Sequence, residues 1–338
     1  MEITKRDTSI IKGFAICCML WHHLFYKTQD YGVFVQQLGV LGKCCVFLFL
    51  FVSGYGLTKQ FERLPKFNVV SSLRFVFLRL TKFYMQYWFY FVIVIGVGLI
   101  FWRSLGEAYP NRNPIKCLIL DGLGMMGYSS YNPTWWFNKM IIQLYILYPL
   151  LFLLLYNRII AAVSLLVVIV LQQFVPVNLF CLVEGGLLAF FLGMLMAKYS
   201  LKNLSTTFLL LVSIALLGVF IYGFFNVHII SVNIMFSGIA FFISSLLVII
   251  GRRYQFPILG YLGGYATAMY FVHTLIQSLV SDYIYSIAYS VLVFIVLVAL
   301  SLISSILLKK LEEFVGYKKL KNNVIHFISS FQPLRSNG

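Results

Sequence analysis

Four ionisable side chains stand inside otherwise apolar stretches of this sequence, and they are the residues best placed to do chemistry. They are His23, Lys43, Glu184 and His273. Even the mildest scales put the cost of a charged group inside a membrane at about 2.5–3.5 kcal/mol, so such residues are functional candidates by default. Imidazole titrates near neutral pH and is the usual acceptor of a hydroxyl proton. We therefore treat His23 and His273 as candidate catalytic groups, with Glu184 beside them.

A cation stands eleven residues before the first of these histidines. Lys12 and His23 lie on one stripe of the first apolar helix, since eleven steps of 100° return to within about 20° of the start. The same steps rise roughly 16 Å. The stripe thus joins a cation at one membrane edge, Lys12, to an imidazole deep in the bilayer, His23. This suggests that an anion binds near Lys12 while chemistry occurs near His23. His22 lies about 100° away and is expected to pack against a neighbouring helix.

Each of the other intramembrane groups also has an interpretation without chemistry. Lys43 could snorkel to the outer headgroups. Glu184 could act only as a helix clamp by pairing with Lys43 or a histidine. His273 could be a hydrogen-bonded packing residue.

The elements that must position these groups are transmembrane helices. Of 338 residues, 61% are hydrophobic and 11% are charged, whereas ordinary soluble domains carry about 25% charge. The apolar residues come in blocks of about 18–25, the length that crosses the hydrocarbon core as helix. The sequence therefore predicts an all-α polytopic bundle of about ten spans, at 11–28, 37–58, 83–102, 138–156, 159–175, 179–197, 206–226, 229–250, 258–281 and 284–308.

The distribution of basic residues orients the bundle. If the N-terminus is cytoplasmic, all but six of the 26 Lys and Arg residues fall on the cytoplasmic side, and the six are Lys27, Lys43, Arg103, Arg112, Lys116 and Lys139. Ten spans with both termini in the cytoplasm are therefore favoured. This topology places the four intramembrane groups in the outer half of the bilayer. The net charge of +16 is a topology signal, and no nucleic-acid partner is expected.

The chain divides into a membrane domain, 1–308, and a basic tail, 309–338, which is expected to lie partly on the inner leaflet. Two loops are long: a basic inner loop at about 59–82, and an outer loop at about 103–137 rich in Gly, Pro, Asn and Tyr. The six cysteines are interpreted as small buried apolar side chains, and no metal site is expected.

Several segments together resemble one membrane enzyme family. The segment RDTSIIKGFAICCMLWHHLF resembles the first-helix signature of acyltransferase family 3, in which a basic residue stands eleven positions before a catalytic histidine. FLFLFVSGYGL, RLTK, PTWWFNKMIIQLYILYPLLF, AFFLGMLMA and AMYFVHTLI resemble later family segments in the same order. The resemblance covers almost the whole chain, from Arg6 to about Ile276. Lys12 and Lys82 stand where many members carry Arg, and Lys43-Cys44-Cys45 departs from the family's second helix.

The resemblance implies transfer of an acyl group, commonly acetyl from acetyl-CoA, to a sugar hydroxyl of an envelope or capsular glycan. His23 would be the essential base, and Lys12, Arg79 and Lys82 would lie near the CoA phosphates on the inner side. The expected partners are acyl-CoA, a glycan or lipid-linked saccharide, and membrane lipids. The expected location is the plasma (inner) membrane.

Four residues are candidates for binding the acceptor. Trp135 and Trp136 could stack on sugar rings, or they could belong to an interfacial aromatic belt. Ser53 could hydrogen-bond in the site, or its Ser-Gly pair could serve close packing. Lys43 is the fourth candidate for binding the acceptor. Two rival functions stay open at this point: a transporter or flippase of a lipid-linked sugar, and a glycan polymerase.

Overall fold

The computed structural model describes residues 2–64, 68–126, 131–174, 185–199, 206–226 and 230–330. Within these ranges the regular elements are α-helices and no strand occurs. They are α1 (Lys5–Phe25), α2 (Val33–Leu41), α3 (Cys44–Phe61), α4 (Val69–Phe101), α5 (Leu105–Ala108), α6 (Pro114–Gly122), α7 (Trp136–Leu153), α8 (Arg158–Phe174), α9 (Leu187–Lys198), α10 (Thr206–Asn226), α11 (Val232–Arg253), α12 (Pro257–Ile284), α13 (Ser290–Phe314) and α14 (Tyr317–Ser330).

The helices have the length and surface of membrane spans. Seven helical stretches of the described chain are long and apolar enough to cross a bilayer, and they are α1, α2 with α3, α4, α7, α10, α11 and α13. Large apolar side chains are exposed on their outer faces, for example Ile100 at 74% and Phe101 at 70%. Monomeric soluble proteins rarely expose apolar surface of this extent to water, whereas membrane proteins expose it to lipid. The prediction of an all-α polytopic bundle is confirmed.

The three remaining predicted spans also fall on helices. The apolar helices α8 and α9 have 17 and 12 residues within the described ranges. The 28-residue helix α12 is long enough to cross, but it carries many Tyr, Thr, Ser and Gly residues that lower its hydropathy. The outer loop predicted at 103–137 contains two short helices, α5 and α6, capped by the side chains of Ser104 and Asn113.

The first inner loop is shorter than predicted. The prediction at about 59–82 was wrong for its second half, because α4 begins at Val69 and continues for 33 residues. The Asn68 side chain accepts a hydrogen bond from the Ser71 amide, and this cap starts the helix early. A helix of this length is about 50 Å long, well beyond a hydrocarbon core of about 30 Å. Arg79 and Lys82 therefore lie on a helix and not in a loop.

Helices α1 and α12 cross at unusually close range through two glycines. A methyl group at Gly13 would overlap the carbonyl oxygen of Leu259, and one at Gly263 would overlap the carbonyl oxygen of Ser9. Small residues allow two backbones to approach in this way inside a membrane. The two helices run in the same direction, since Gly13 meets the start of α12 and the Gln277 side chain meets the His23 carbonyl.

The Ser-Gly pair of α3 has the packing role foreseen as one alternative. A methyl group at Gly54 would overlap the Phe190 carbonyl, and one at Gly193 would overlap the Phe51 carbonyl. Glycine is thus required where α3 and α9 cross. Ser53 stands on the neighbouring face of α3, away from this crossing.

The basic tail forms a helix that docks on α4. The Tyr317 hydroxyl donates to the Met85 carbonyl at 2.7 Å, and its ring lies 5.1 Å from that of Phe89. Lys321 donates to the Gln86 side chain at 2.9 Å. The segment expected on the inner leaflet is therefore also part of the bundle.

The close crossing of α1 and α12 gives a stability prediction. We expect Gly263→Ala to lower the melting temperature in detergent, because overpacking of this kind costs roughly 1–3 kcal/mol. Gly260→Ala is the matched control on the same helix, since nothing lies within 4 Å of its added methyl group. Alanine favours helix over glycine, so the control should be neutral or slightly stabilising. Equal melting temperatures for the two variants would contradict the crossing.

Candidate functional site

His23, in the last turn of α1, and His273, buried within α12, lie against each other. Their ring centroids are 5.0 Å apart, with 45° between the ring planes. Each histidine stands ten residues beyond the glycine at which its helix crosses the other, Gly13 in α1 and Gly263 in α12. Equal rises along two parallel helices bring the two imidazoles to the same depth.

The backbone determines which nitrogen of His273 carries the proton. Its Nδ1 lies 2.9 Å from the Tyr270 carbonyl and 3.2 Å from the Met269 carbonyl. Carbonyl oxygens only accept, so Nδ1 is the protonated nitrogen and Nε2 is left with a free lone pair. His273 is fully buried, and its Nε2 has no hydrogen-bond partner within the described chain. A buried acceptor without a partner, beside a second imidazole, is a site prepared to receive a proton or a hydrogen bond.

The neighbouring groups hold this pair in place. The Gln277 side chain donates to the His23 carbonyl at 3.1 Å, and the Tyr285 hydroxyl donates to the Leu24 carbonyl at 3.1 Å. His22 turns away: its Nδ1 donates to the Gly39 carbonyl at 2.8 Å, and its ring stacks on Tyr26. The expectation that His22 packs against a neighbouring helix is thereby met.

A cavity of about 780 Å³ opens among α1, α3, α4, α7, α12, α13 and α14. Six basic side chains line it, and they are Lys12, Arg79, Lys82, Lys309, Lys318 and Lys321. Two carboxylates, Glu312 and Glu313, and the polar groups Ser53, Gln86 and Asn138 also line it. The structure thus brings the three predicted phosphate-binding residues together in one basic cavity. Ser53 faces the same space.

Arg79 is the best-positioned hydrogen-bond donor in the cavity. Its guanidinium lies over the Tyr145 ring, 4.9 Å from the centroid, and donates to the Tyr145 hydroxyl at 3.2 Å. Its Nε is buried and has no partner within the described chain. A planar guanidinium fixed in this way presents free N–H groups to an anion with little loss of side-chain entropy. Lys12 is half-buried nearby, whereas Lys82 is exposed at the surface.

The cavity approaches the histidines along two helices. On α12 its lining runs from Gly264 to Phe271, and His273 follows three residues after Tyr270. On α1 Lys12 lies in the cavity, and His23 stands about 16 Å further along the helix. Tyr270 marks the inner limit, because its hydroxyl donates to the Thr134 carbonyl at 3.0 Å and lies 3.3 Å from the Asn138 side-chain oxygen.

The other predicted site residues lie at different places. Lys43 is the residue directly before α3 and interacts electrostatically with His22, outside the basic cavity. Trp135 is 2% exposed and packs on Tyr87, with ring centroids 5.3 Å apart. Trp136 is half-buried beside Phe137. Glu184 lies outside the described residues.

Sequence reasoning missed several residues of the cavity. Tyr145 and Asn138 lie on α7 inside a segment that carried the family resemblance, and Tyr270 precedes His273 by one turn. A search for polar residues one turn from each candidate would have found Tyr270. Lys318 and Lys321 gave no signal beyond a basic composition, since only the turn after α13 brings them back to α4.

The loop between α4 and α7, predicted to lie on the outer side, is held by aromatic and polar contacts in the part that the structure describes. The Arg103 guanidinium lies over the Trp102 ring at 3.8 Å from the centroid, and burial lowers its pKa from the usual value. The Tyr131 hydroxyl donates to the Arg103 carbonyl at 2.7 Å, and burial raises the pKa of that tyrosine. In α6 the buried Asp121 carboxylate accepts from the Tyr109 hydroxyl. These contacts give the described part of the loop a defined structure.

Within the described part of the chain no group of three or more His, Cys, Asp or Glu side chains could hold a metal ion.

Fold and site together define a polytopic membrane protein with a basic cavity and, further along two of the helices that line it, a pair of adjacent histidines. The chain belongs to acyltransferase family 3, because the family model described as an acyltransferase domain matches residues 8–310. This match confirms the resemblance carried by the sequence segments. No curated protein and no solved structure matches the chain.

The topology predicts that the cavity opens to the cytoplasm. We expect a membrane-impermeant maleimide to label Ser53→Cys in inside-out vesicles and not in right-side-out vesicles. Wild-type protein gives the background of the native cysteines. Ser237→Cys is the buried control, since Ser237 is 0% exposed and does not line the cavity. Labelling of Ser53→Cys from the outer side would reverse the orientation.

Proposed function

We propose that this protein is a membrane O-acyltransferase that moves an acyl group, most simply acetyl, from cytoplasmic acyl-CoA to a hydroxyl of a cell-surface or lipid-linked glycan. The family match gives acyl transfer as the general activity. The observation that carries the finer proposal is one cavity lined by Lys12, Arg79 and Lys82, two of whose helices, α1 and α12, carry the adjacent His23 and His273 further along.

The proposed binding of the acyl donor rests on the positive charge of the cavity. CoA carries a diphosphate and a phosphate monoester, and phosphate oxygens are bound best by charged N–H donors. Lys12 and Arg79 present such donors within the bundle, with Lys82 at the surface. The remaining apolar and aromatic walls, such as Phe49, Phe83 and Ile141, suit an uncharged arm that extends from the nucleotide toward the histidines.

The chemical step assigns the base to His23. A neutral His23 imidazole takes the proton of the acceptor hydroxyl while the hydroxyl oxygen forms a bond to the acyl carbon. The carbon–sulfur bond of the thioester then breaks, and the departing sulfur takes up a proton, which His23 can return. His273 acts as a positioning residue, because its free Nε2 can accept a hydrogen bond from His23 and orient that ring.

The acceptor side of the proposal places the glycan at the outer face. A lipid-linked or envelope saccharide would reach His23 from the side opposite the basic cavity. Trp136 remains a proposed stacking surface for the sugar. Trp135 would act through packing against Tyr87, since its side chain is almost fully buried. The plasma (inner) membrane is the proposed location.

The first functional prediction concerns the base. We expect His23→Ala to lower kcat for acyl transfer roughly 10²–10⁴-fold, the usual contribution of a positioned general base. The measurement uses purified protein in nanodiscs with labelled acetyl-CoA and candidate glycans. His22→Asn is the adjacent control, because asparagine keeps a donor for the Gly39 carbonyl.

A different outcome would favour transport over transfer. Movement of a lipid-linked sugar that yields no acylated product and is unaffected by His23→Ala would overturn the proposal. Mass spectrometry of envelope glycan with and without the protein gives an independent check. An acetyl-sized mass difference is expected.

The second functional prediction concerns the donor site. We expect Arg79→Gln to raise the apparent KM for acyl-CoA about tenfold or more, since a hydrogen bond to a charged group contributes about 1.5–3 kcal/mol. The KM for the acceptor should change little. Arg158→Gln is the control with the same loss of charge, because Arg158 is exposed at the start of α8 and does not line the cavity. If Arg79→Gln changed only the KM for the acceptor, the binding site for acyl-CoA would have to lie elsewhere.

A further inference from the structure

A short buried turn before α7 is hydrogen-bonded to the part of α12 that carries His273. The turn is formed by residues 132–134, with the sequence Asn-Pro-Thr, and we call it the 132–134 turn. Asn132 is 0% exposed and Thr134 is 5% exposed, and neither lines the basic cavity. Buried polar side chains of this kind need hydrogen-bond partners, because an unpaired polar group inside a protein is costly.

The local sequence determines the shape of the 132–134 turn. The Asn132 side-chain oxygen accepts from the Thr134 amide at 3.0 Å and from the Thr134 hydroxyl at 2.6 Å. Pro133 restricts the backbone between them, and the Asn132 carbonyl accepts from the Trp135 amide at 3.2 Å. Since a backbone amide only donates, the carboxamide atom that it meets is the oxygen. The other carboxamide atom, Nδ2, is therefore a donor directed away from the turn.

Two hydrogen bonds join the 132–134 turn to α12. Asn132 Nδ2 donates to the Phe271 carbonyl at 2.9 Å. The Tyr270 hydroxyl donates to the Thr134 carbonyl at 3.0 Å. Tyr270 is thus held at both ends, because its own carbonyl accepts from His273 Nδ1 at 2.9 Å. The turn therefore holds the two residues that stand two and three positions before His273.

These hydrogen bonds constrain the orientation of the His273 ring. Its Nδ1 proton is directed at the Tyr270 carbonyl, and Nε2 belongs to the same rigid ring, so a displacement of that carbonyl also turns the lone pair of Nε2. The ring of His23 lies 5.0 Å away, centroid to centroid, so the geometry of the histidine pair would change as well. A displacement of about 1 Å caused by a residue remote from the reacting atoms can lower a rate about 100-fold.

We propose that Asn132 and Thr134 are positioning residues for the acyl-transfer reaction. They hold the backbone of α12 directly before His273 and, through His273, the orientation of His23. The inference rests on the proposed function, in which His23 is the base and His273 orients it. It also connects the proposed acceptor surface to the histidine pair, since Trp136 follows Thr134 by two residues.

The first measurement is acyl transfer by the full-length protein in nanodiscs, with labelled acetyl-CoA and an acceptor glycan. Thr134→Val exchanges the hydroxyl for a methyl group of the same shape, and we expect kcat to fall about threefold to tenfold. Asn132→Leu removes the hydrogen bonds on both sides of the turn, and we expect a fall of about tenfold to 100-fold. The KM for acyl-CoA should stay within about twofold, because neither residue lines the cavity. Thr134→Ser retains a hydroxyl and should recover most of kcat.

Thr58→Val is the matched control for the loss of a buried threonine hydroxyl. The Thr58 hydroxyl donates to the Gly54 carbonyl at 2.9 Å and accepts from the Tyr148 hydroxyl at 3.1 Å. Thr58 is 0% exposed in α3 and does not line the cavity. We expect Thr58→Val to lower the melting temperature at least as much as Thr134→Val does and to leave kcat unchanged.

A His273→Ala background distinguishes positioning from a general effect on stability. If the 132–134 turn acts through His273, Thr134→Val should lower kcat by less than about twofold once His273 has been removed, because residues that act as a unit are not additive. A residue that acts only through stability would lower kcat by the same factor in both backgrounds.

A third readout does not depend on turnover. The ¹⁵N signals of a histidine ring distinguish a proton on Nδ1 from a proton on Nε2, and the spectrum of His273→Ala assigns the signals of His273. We expect the Nδ1-protonated form in wild-type protein in nanodiscs. Thr134→Val should give a second form or shifted His273 signals, whereas Thr58→Val should give the wild-type spectrum.

The outcomes separate this inference from the proposed function. If wild-type protein transfers acyl groups but Thr134→Val behaves like Thr58→Val, or acts equally in the His273→Ala background, the positioning role is wrong and the function stands. If wild-type protein transfers nothing, the function falls and the ¹⁵N spectra decide the inference. Unchanged His273 signals in Thr134→Val would then overturn it, and changed signals would support the placement of His273 by the turn.

Discussion

The close approach of α1 and α12 at Gly13 and Gly263 is the constraint on which the geometry of the site depends. Neither helix could carry a side chain at these positions without overlapping a carbonyl oxygen of the other. Because the helices are parallel and each histidine follows its glycine by ten residues, the contact fixes the relative height of the two imidazoles. A shift of one helix along the other by a single turn would move the histidines apart by about 5.4 Å. The relative position of the two histidines is thus set by backbone packing ten residues earlier on each helix.

Much of this arrangement could be predicted from the sequence. Apolar block lengths gave the polytopic helical bundle, and helical periodicity placed Lys12 and His23 on one stripe. The start of α4 could not be found in the same way, because hydropathy marks only the part of a helix that lies in the hydrocarbon. The Asn68 cap starts the helix well before the predicted span, and Arg74, Arg79 and Lys82 interrupt its apolar pattern over the first turns.

Contacts between distant segments were the least predictable part of the site. The sequence suggested that four intramembrane groups share one depth, and two of them, His23 and His273, are in contact. Lys43 instead stands directly before α3 and interacts electrostatically with His22. Helical periodicity predicts which residues share one face of a helix, but it does not predict which other helix packs against that face. The docking of α14 is the clearest case, since its partners Met85 and Gln86 stand more than 230 residues earlier in the chain.

The distance between the cations and the histidines reconciles two opposed requirements. Binding a polyanionic donor needs lysines and arginines that stay charged, whereas a general base must gain a positive charge as it takes a proton. At a separation of 4 Å a cation would oppose that protonation by about 4 kcal/mol in an environment of effective dielectric constant 20. At the roughly 16 Å between Lys12 and His23 the opposition falls to about 1 kcal/mol. In the proposed mechanism the eleven-residue spacing on α1 therefore lets one helix take part both in donor binding and in proton transfer, provided that the donor is long enough to reach from Lys12 to His23.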